Sequence, residues 1–204
     1  KNKALKVSGI KYQDFGDVVS AACLAHDLGN PPFGHSGEQS ISFFFLNTKE
    51  GQFFESMVKP AEWSDLINFE GNAQGFRILT NPNHGGLSLT YSTLATFTKY
   101  PLSSSSKKNH PRQSQHKYGF FYNDLTYINT IAEELQLTKT AEGNWLRHPL
   151  AFLVEAADDI CYSIIDLEDA TRLGLIPFDQ TKKLLSEIIG IKFSEEKLSK
   201  IIDL

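Results

Sequence analysis

Three groups of residues have types and spacings that could do chemistry, and the first is the pair His26-Asp27. It follows an apolar stretch with helical spacing and precedes Gly29-Asn30-Pro31-Pro32, through which a helix cannot continue. Adjacent imidazole and carboxylate groups at a helix end can turn toward one divalent metal, either a first-row ion or Mg²⁺ or Mn²⁺. A single His on an apolar helix face is more often a core residue, so the pair alone leaves both interpretations open.

The second group is His35 and Glu38, three residues apart where a new helix is expected to begin. Residues at this spacing share a helix face, and a carboxylate beside an imidazole holds its tautomer and raises its pKa, as a general acid requires. The alternative is structural, with Ser36 as the helix cap and Glu38 as a favourable acid in the first turn.

The third group lies on one long predicted helix. Between Leu150 and Thr171 there are six acidic residues and no Lys or Arg, and Asp158, Tyr162 and Asp166 fall on one face at intervals of four. The plain interpretation is a solvated acidic face. Uncompensated negative charges on one face repel, however, and a cation on that face, either bound or supplied by neighbouring residues, would relieve the repulsion.

The elements that must position these groups are all helices. Apolar periodicity and the Gly and Pro residues predict no alternating strand and no internal repeat, and therefore an all-α fold. The predicted helices cover residues 17–28, about 35–46, 63–80 with a break at 71, 87–100, 123–137, 149–173, 177–189 and 194–203.

Length and composition fit one globular domain. The chain has 204 residues, 41% of them hydrophobic, and a formal net charge of −4, which excludes a disordered or collagen-like chain and a surface that is basic throughout. Cys23 and Cys161 lie in apolar runs, so buried free thiols in a reducing compartment are expected. We expect a single domain over 1–204 and a flexible basic loop over 103–117. We favour a plain surface loop over the alternative, an arm that attracts phosphate groups.

Taken together, the motifs resemble the deoxyguanosine triphosphate triphosphohydrolase (dGTPase) family of HD-domain phosphohydrolases. The matching segments are AACLAHDLGNPPFGHSGE at 21–38, FEGNAQ at 69–74, LTY at 89–91, FTKYP at 97–101, and the stretch 148–170, which begins HPL. They cover most of residues 21–170. No Gly-rich P-loop, Rossmann fingerprint or Gly-x-Ser-x-Gly elbow occurs.

The resemblance implies an HD-domain helical bundle around one divalent metal, with His26, Asp27 and Asp158 among its ligands. The family's first ligand is a His well upstream of the His-Asp pair, but only 25 residues precede His26 here and none is His. Either the chain is a fragment of a longer protein or the site is incomplete. Because the chain begins without Met, we expect a fragment.

The resemblance also implies a reaction. The family hydrolyses a deoxynucleoside triphosphate, with dGTP favoured, to a deoxynucleoside and inorganic triphosphate. His35 would be the general acid and Glu38 its orienting partner. The remaining roles concern substrate binding: Lys99 and Tyr100 would contact the phosphates, Tyr162 and Asp166 the sugar, and Asn72 the same cavity.

Two other functions stay open. One is a different HD-domain nucleotidase or phosphodiesterase, and the other is a non-catalytic nucleotide-binding regulatory module. We further expect a cytoplasmic homo-oligomer with no membrane association, and nucleic acid as a candidate effector. Base preference, native metal and subunit number are left open by the sequence.

Overall fold

The computed structural model describes residues 9–81, 87–109, 117–141 and 143–189, and within these ranges the chain is helical. The described part contains no β-strand, only one isolated antiparallel bridge between Lys139 and Trp145. The all-α prediction is confirmed. The helices are α1 (Tyr12–Ala25), α2 (His35–Asn47), α3 (Lys49–Gln52), α4 (Pro60–Ile67), α5 (Gly71–Thr80), α6 (Tyr91–Phe97), α7 (Leu125–Glu134), α8 (Ala151–Arg172) and α9 (Phe178–Ile189). In the described ranges, 3₁₀ segments lie between these helices at Phe53–Met57, Ser104–Asn109 and Tyr122–Asp124.

The chain divides into two compact units, residues 1–157 and 158–204. The first holds α1 to α7 and the start of α8. The second holds the rest of α8 and α9. No helix in the described residues combines the length and the apolar character needed to span a membrane.

The first helix begins five residues earlier than predicted. Its N-terminus is set by Asp14, whose Oδ2 accepts a hydrogen bond of 2.7 Å from the backbone N–H of Lys11, and not by Asp17. It also ends earlier, at Ala25, so that His26 is the first residue beyond the helix. Short turns follow, with Leu28 N donating to Ala25 O and Asn30 N to Asp27 O.

Other boundaries depart from the prediction for local reasons. The region predicted as one broken helix is two helices, because Pro60 opens α4 and the turn at 68–70 separates it from α5. Helix α6 starts only at Tyr91, where the Thr90 hydroxyl accepts from Thr93 N. The predicted basic loop is in part a 3₁₀ segment, Ser104–Asn109, while residues 110–116 and the predicted helix 194–203 lie outside the described residues.

The core of the first unit joins α1, α5, α6, α7 and the first turn of α8. Its members are apolar side chains with little or no exposure: Ala22, Ala25, Phe76, Leu79, Leu94, Ala95, Phe97, Phe120, Ile128, Ile131 and Val154. Their burial fixes α1 against α6 and brings the α1 C-terminus, with His26, to the edge of this core.

In the second unit the end of α8 is capped as predicted near Gly174. Gly174 has φ +72°, and Leu175 N donates to Ala170 O at 2.9 Å, the pattern of a glycine-capped C-terminus. The Thr171 and Thr181 hydroxyls, 2.7 Å apart, connect α8 to α9. Among the described residues neither Cys23 nor Cys161 is in a disulfide, but the expectation of burial is wrong for Cys161, which is exposed, while Cys23 is half-buried.

Candidate functional site

The His26-Asp27 pair lies directly after α1 with its side chains turned to each other. His26 Nε2 is 3.2 Å from Asp27 Oδ2. His26 Nδ1 is 2.7 Å from the Cys23 carbonyl oxygen, so this nitrogen carries the proton and donates. Nε2 is therefore the ring nitrogen that faces Asp27, on the side where a metal ion could bind. The side chains of His26 and Asp27 are 29% and 56% exposed, which leaves both donor atoms accessible.

The turn after this pair packs against the start of α5. Asn30 Nδ2 donates to Asp27 Oδ1 at 2.8 Å, so each oxygen of the Asp27 carboxylate has its own neighbour. Gly29 is buried, and a Cβ at this position would lie 2.0 Å from the Gly71 carbonyl oxygen and 2.1 Å from the Gly75 nitrogen. The sequence predicts that the helix stops at Gly29, but α1 already ends at Ala25, and Gly29 is not among the described residues with positive φ. The glycine is needed because two backbones meet there.

Helix α2 begins at His35 after two consecutive residues in the left-handed region, Phe33 (φ 67°) and Gly34 (φ 54°). Such a backbone is uncommon for a bulky residue, and it turns the chain sharply into the helix. The helix cap is Gly34 and not Ser36. His35 itself is exposed.

Glu38 is tied to a neighbouring helix. Its Oε1 accepts a 2.7 Å hydrogen bond from Gly71 N, the first residue of α5, and one turn later Ser42 Oγ accepts from Phe69 N at 3.0 Å. Glu38 thus satisfies a free N–H at the start of α5. In the described residues no hydrogen bond joins Glu38 to His35, so the predicted orienting contact stays a prediction.

An open cleft of about 480 Å³ borders the start of α2, with His35 and Glu38 on one side and Glu70 and Lys117 on the other. Glu70 is 5% exposed and its Oε1 accepts from Asn72 Nδ2 at 2.7 Å. Burial raises the pKa of the Glu70 carboxyl; the Asn72 hydrogen bond opposes this shift and the charge of Glu38 adds to it. The cleft therefore combines an imidazole, two carboxylates and one ammonium group.

A second group of predicted residues follows α6. Lys99 and Tyr100 are half-buried, and the Arg147 guanidinium lies 5.0 Å from the centre of the Tyr100 ring. Arg147 Nη1 also donates to Glu155 Oε2 at 2.7 Å. Arg147 therefore places a cationic group beside Tyr100, at a position where the sequence predicted none.

The remaining predicted residues are on α8 in the second unit. Asp158 is half-buried, whereas Tyr162 and Asp166 are exposed and lie one turn apart on the same helix face. Their roles stay predictions.

The donor set at the end of α1 fits a divalent metal ion in part. An imidazole nitrogen and a carboxylate oxygen 3.2 Å apart can share one first-row ion, Mg²⁺ or Mn²⁺. Among the described residues no group of three or more His, Cys, Asp or Glu side chains forms a complete site. The structure therefore brings together two candidate metal ligands, His26 and Asp27. Asp158 is a candidate ligand only because of the family resemblance.

Sequence reasoning missed four residues that contribute to this region: Asn30, Glu70, Gly71 and Lys117. Glu70 and Gly71 stand inside the motif FEGNAQ, and Asn30 follows the His-Asp pair at an interval of three, a spacing that permits a side-chain contact across a turn. No feature of the sequence indicated a role for Lys117, because this residue ends the basic segment that we interpret as a surface loop.

Comparison with known proteins gives relatives over most of the chain. A "deoxyguanosinetriphosphate triphosphohydrolase-like protein" of Synechocystis is 45% identical to this chain, and the matched stretch covers 95% of this chain and 46% of the Synechocystis protein. A protein of the same description from Pseudomonas aeruginosa is 43% identical over 87% of this chain and 40% of its own. A "deoxyguanosinetriphosphate triphosphohydrolase" of Cronobacter sakazakii is 32% identical, over 86% of this chain and 39% of the Cronobacter protein.

The chain spans less than half the length of these curated relatives. No protein-family model matches it. The relatives confirm the resemblance predicted from the motifs, over a stretch that contains all the candidate site residues.

Proposed function

We propose that this chain, a homologue of the deoxyguanosinetriphosphate triphosphohydrolase-like proteins, carries catalytic residues of a metal-dependent deoxynucleoside triphosphate triphosphohydrolase, with dGTP as the favoured substrate. The observation that carries the proposal is the His26-Asp27 pair. Its Nε2 and Oδ2 atoms lie 3.2 Å apart and accessible, and α2 begins nearby in sequence with His35 on an open cleft.

In the proposed site His26 and Asp27 bind a divalent ion, with Asp158 as a further ligand carried over from the resemblance. The ion would supply an activated water and polarise the α-phosphate. The family's upstream His would come from a part of the protein that precedes this chain.

His35 is proposed to act on the leaving group. The bond between the α-phosphorus and the 5′ oxygen breaks, the phosphorus gains an oxygen from water, and His35 donates a proton to the departing 5′ oxygen. The products are a deoxynucleoside and inorganic triphosphate. Glu38 would orient His35 through the carboxylate oxygen that does not accept from Gly71 N.

Substrate contacts complete the proposal. Lys99 and Tyr100 would bind phosphate oxygens as a charge and a hydroxyl donor. Asn72 would face the same cavity, held by its hydrogen bond to Glu70. Tyr162 would pack against the sugar at C2′ and exclude a ribose hydroxyl, while Asp166 accepts from the 3′-OH.

We also propose a cytoplasmic homo-oligomer. In the described part of the chain Cys23 and Cys161 form no disulfide, which supports a reducing compartment. Highly exposed apolar side chains such as Leu24 (87%) and Phe33 (92%) support burial against another subunit. Nucleic acid stays a candidate effector to which no residue is assigned.

The test is hydrolysis by the full-length protein with Mn²⁺ or Mg²⁺. We expect dGTP to yield deoxyguanosine and inorganic triphosphate, and His35→Ala to lower turnover by about 100- to 10,000-fold with Mn²⁺ affinity nearly unchanged. Gln39→Ala, on the same helix and cleft, is the matched control and should retain turnover.

Each alternative function has its own signature in this assay. Release of orthophosphate or diphosphate would indicate another HD-domain phosphohydrolase, and nucleotide binding without turnover would indicate a regulatory module. Loss of Mn²⁺ binding in His35→Ala would make His35 a ligand and contradict its role as an acid.

A further inference from the structure

The first turn of α5 contacts Glu38 and Asn30, the neighbour of the His26-Asp27 pair. Gly71 N donates to Glu38 Oε1 at 2.7 Å. Asn30 adjoins Gly71 so closely that a Cβ on Gly71 would lie 2.5 Å from Asn30 Oδ1 and 2.9 Å from Glu38 Oε1. Contacts below 3.0 Å are essentially never made by a real Cβ, so a side chain at position 71 would displace the ends of the Asn30 and Glu38 side chains.

Asn30 links this turn to the proposed metal ligands. Its amide Nδ2 donates to Asp27 Oδ1 at 2.8 Å, and the other carboxylate oxygen, Oδ2, is the one beside His26 Nε2. Because the Asp27 side chain is 56% exposed, surrounding packing constrains its carboxylate little. The Asn30 amide is thus the contact that fixes the plane of the carboxylate, with one oxygen toward Asn30 and the other toward His26.

We propose that Asn30 and Gly71 are positioning residues of the site. Asn30 sets the orientation of the Asp27 carboxylate toward the metal, and the missing side chain at Gly71 lets Asn30 and Glu38 be held against one helix turn. This inference rests on the proposed function, since it assumes that His26 and Asp27 bind a metal ion. Partners that orient metal ligands typically contribute 10- to 100-fold to metal affinity.

The experiment measures Mn²⁺ binding, without nucleotide, to the full-length protein and its variants, together with thermal stability. Asn30→Ala should weaken Mn²⁺ binding about 10- to 100-fold with little change in melting temperature, because Asn30 is exposed. Gly71→Ala should weaken binding to a similar extent. Gly16→Ala, where the new Cβ meets only Gln13 Nε2 at 3.9 Å, is the matched glycine control and should bind Mn²⁺ normally.

A double-mutant cycle separates positioning from general disruption. If Gly71→Ala acts by displacing Asn30, it should weaken Mn²⁺ binding no further in the Asn30→Ala background. Fully additive losses would overturn the coupling. If Gly71→Ala fails to fold, Asn30→Ala still tests the proposal. Wild-type Mn²⁺ affinity in Asn30→Ala overturns it.

The same assay distinguishes failure of the inference from failure of the proposed function. His26→Ala should abolish measurable Mn²⁺ binding. Loss in His26→Ala with wild-type affinity in Asn30→Ala overturns the positioning role alone. Unchanged affinity in His26→Ala overturns the metal site and the inference with it.

Discussion

At the scale of single residues, polar side chains of this protein are held by specific partners and their chemistry follows from them. His148 is an example outside the proposed site. Its Nδ1 accepts from Leu150 N at 3.3 Å and lies 3.1 Å from the Thr96 hydroxyl, which is fully buried. Since a backbone N–H can only donate, Nδ1 is unprotonated and the ring is held neutral. Burial lowers the pKa of His148, in agreement with this arrangement.

This lowered pKa predicts a pH dependence of stability. Above pH about 6.5 the imidazole is neutral in both the folded and unfolded states and has no effect. As the pH falls below that value, His148 binds a proton in the unfolded state but not in the folded state. The free energy of unfolding therefore decreases until the pKa of His148 in the folded state is reached. His148→Asn keeps a hydrogen-bond acceptor but cannot titrate. Between pH 7.5 and pH 5 its free energy of unfolding, measured by urea denaturation, should fall less than that of the wild-type protein.

The two proteins should have similar stability near pH 8, which serves as the control. If the wild-type protein and His148→Asn lose stability in parallel as the pH falls, another group carries the effect.

At the scale of elements, the site is built by the close approach of the turn after α1 to helix α5. Gly29 makes this approach possible, because a Cβ on it would lie 2.0 Å from the Gly71 carbonyl oxygen and 2.1 Å from the Gly75 nitrogen. Gly75 is covered on α5 by the Phe97 ring of α6, which a Cβ would meet at 2.7 Å. The turn after α1 therefore meets α5 through backbone contacts, whereas Glu38 meets it through its carboxylate oxygen.

We therefore expect Gly29→Ala to be strongly destabilising. Its Cβ would meet backbone atoms of Gly71 and Gly75 at 2.0 and 2.1 Å, and backbone cannot move aside as a side chain can. The free energy of unfolding should fall by about 3 kcal/mol. Gly16→Ala, in the middle of α1 with open space around it, should instead raise it by about 0.5–1 kcal/mol. Equal stabilities of the two variants by denaturant titration would contradict the close approach.

At the scale of the whole molecule, the proposed metal ligands His26, Asp27 and Asp158 connect metal binding to the stability of the protein. A ligand that binds only the folded protein stabilises it by mass action. If all three residues bind one ion, stabilisation by metal should depend on each of them.

Mn²⁺ at 100 times its dissociation constant should stabilise the full-length protein by about 2.7 kcal/mol, seen as a rise in melting temperature. His26→Ala and Asp158→Asn should each remove most of this rise. Asp159→Asn, the neighbouring acid on α8, is the matched control and should keep it. A rise that survives in Asp158→Asn but disappears in Asp159→Asn would show that the wrong acid was assigned.

The sequence by itself determined the helical class, most helix positions and the relationship to known proteins. Helices follow from local periodicity, Pro and Gly, which act within a few residues, so α2, α7 and the glycine-capped end of α8 were predicted well. Family motifs such as those around His26 and His35 are likewise local strings. Helix starts were less well predicted, since at α1 two nearby acids competed for the N-terminal role.

Only the tertiary structure decided what the polar groups contact. Glu38, interpreted from the sequence as an acid of its own helix or a partner of His35, accepts a hydrogen bond from the backbone N–H of Gly71 at the start of α5. Gly29, read as a helix stop, is instead a point where two backbones touch. Both contacts join residues far apart in the chain, 33 positions in the case of Glu38 and Gly71. Their existence depends on how helices pack, and a local pattern carries no information about a partner that arrives from a distant segment.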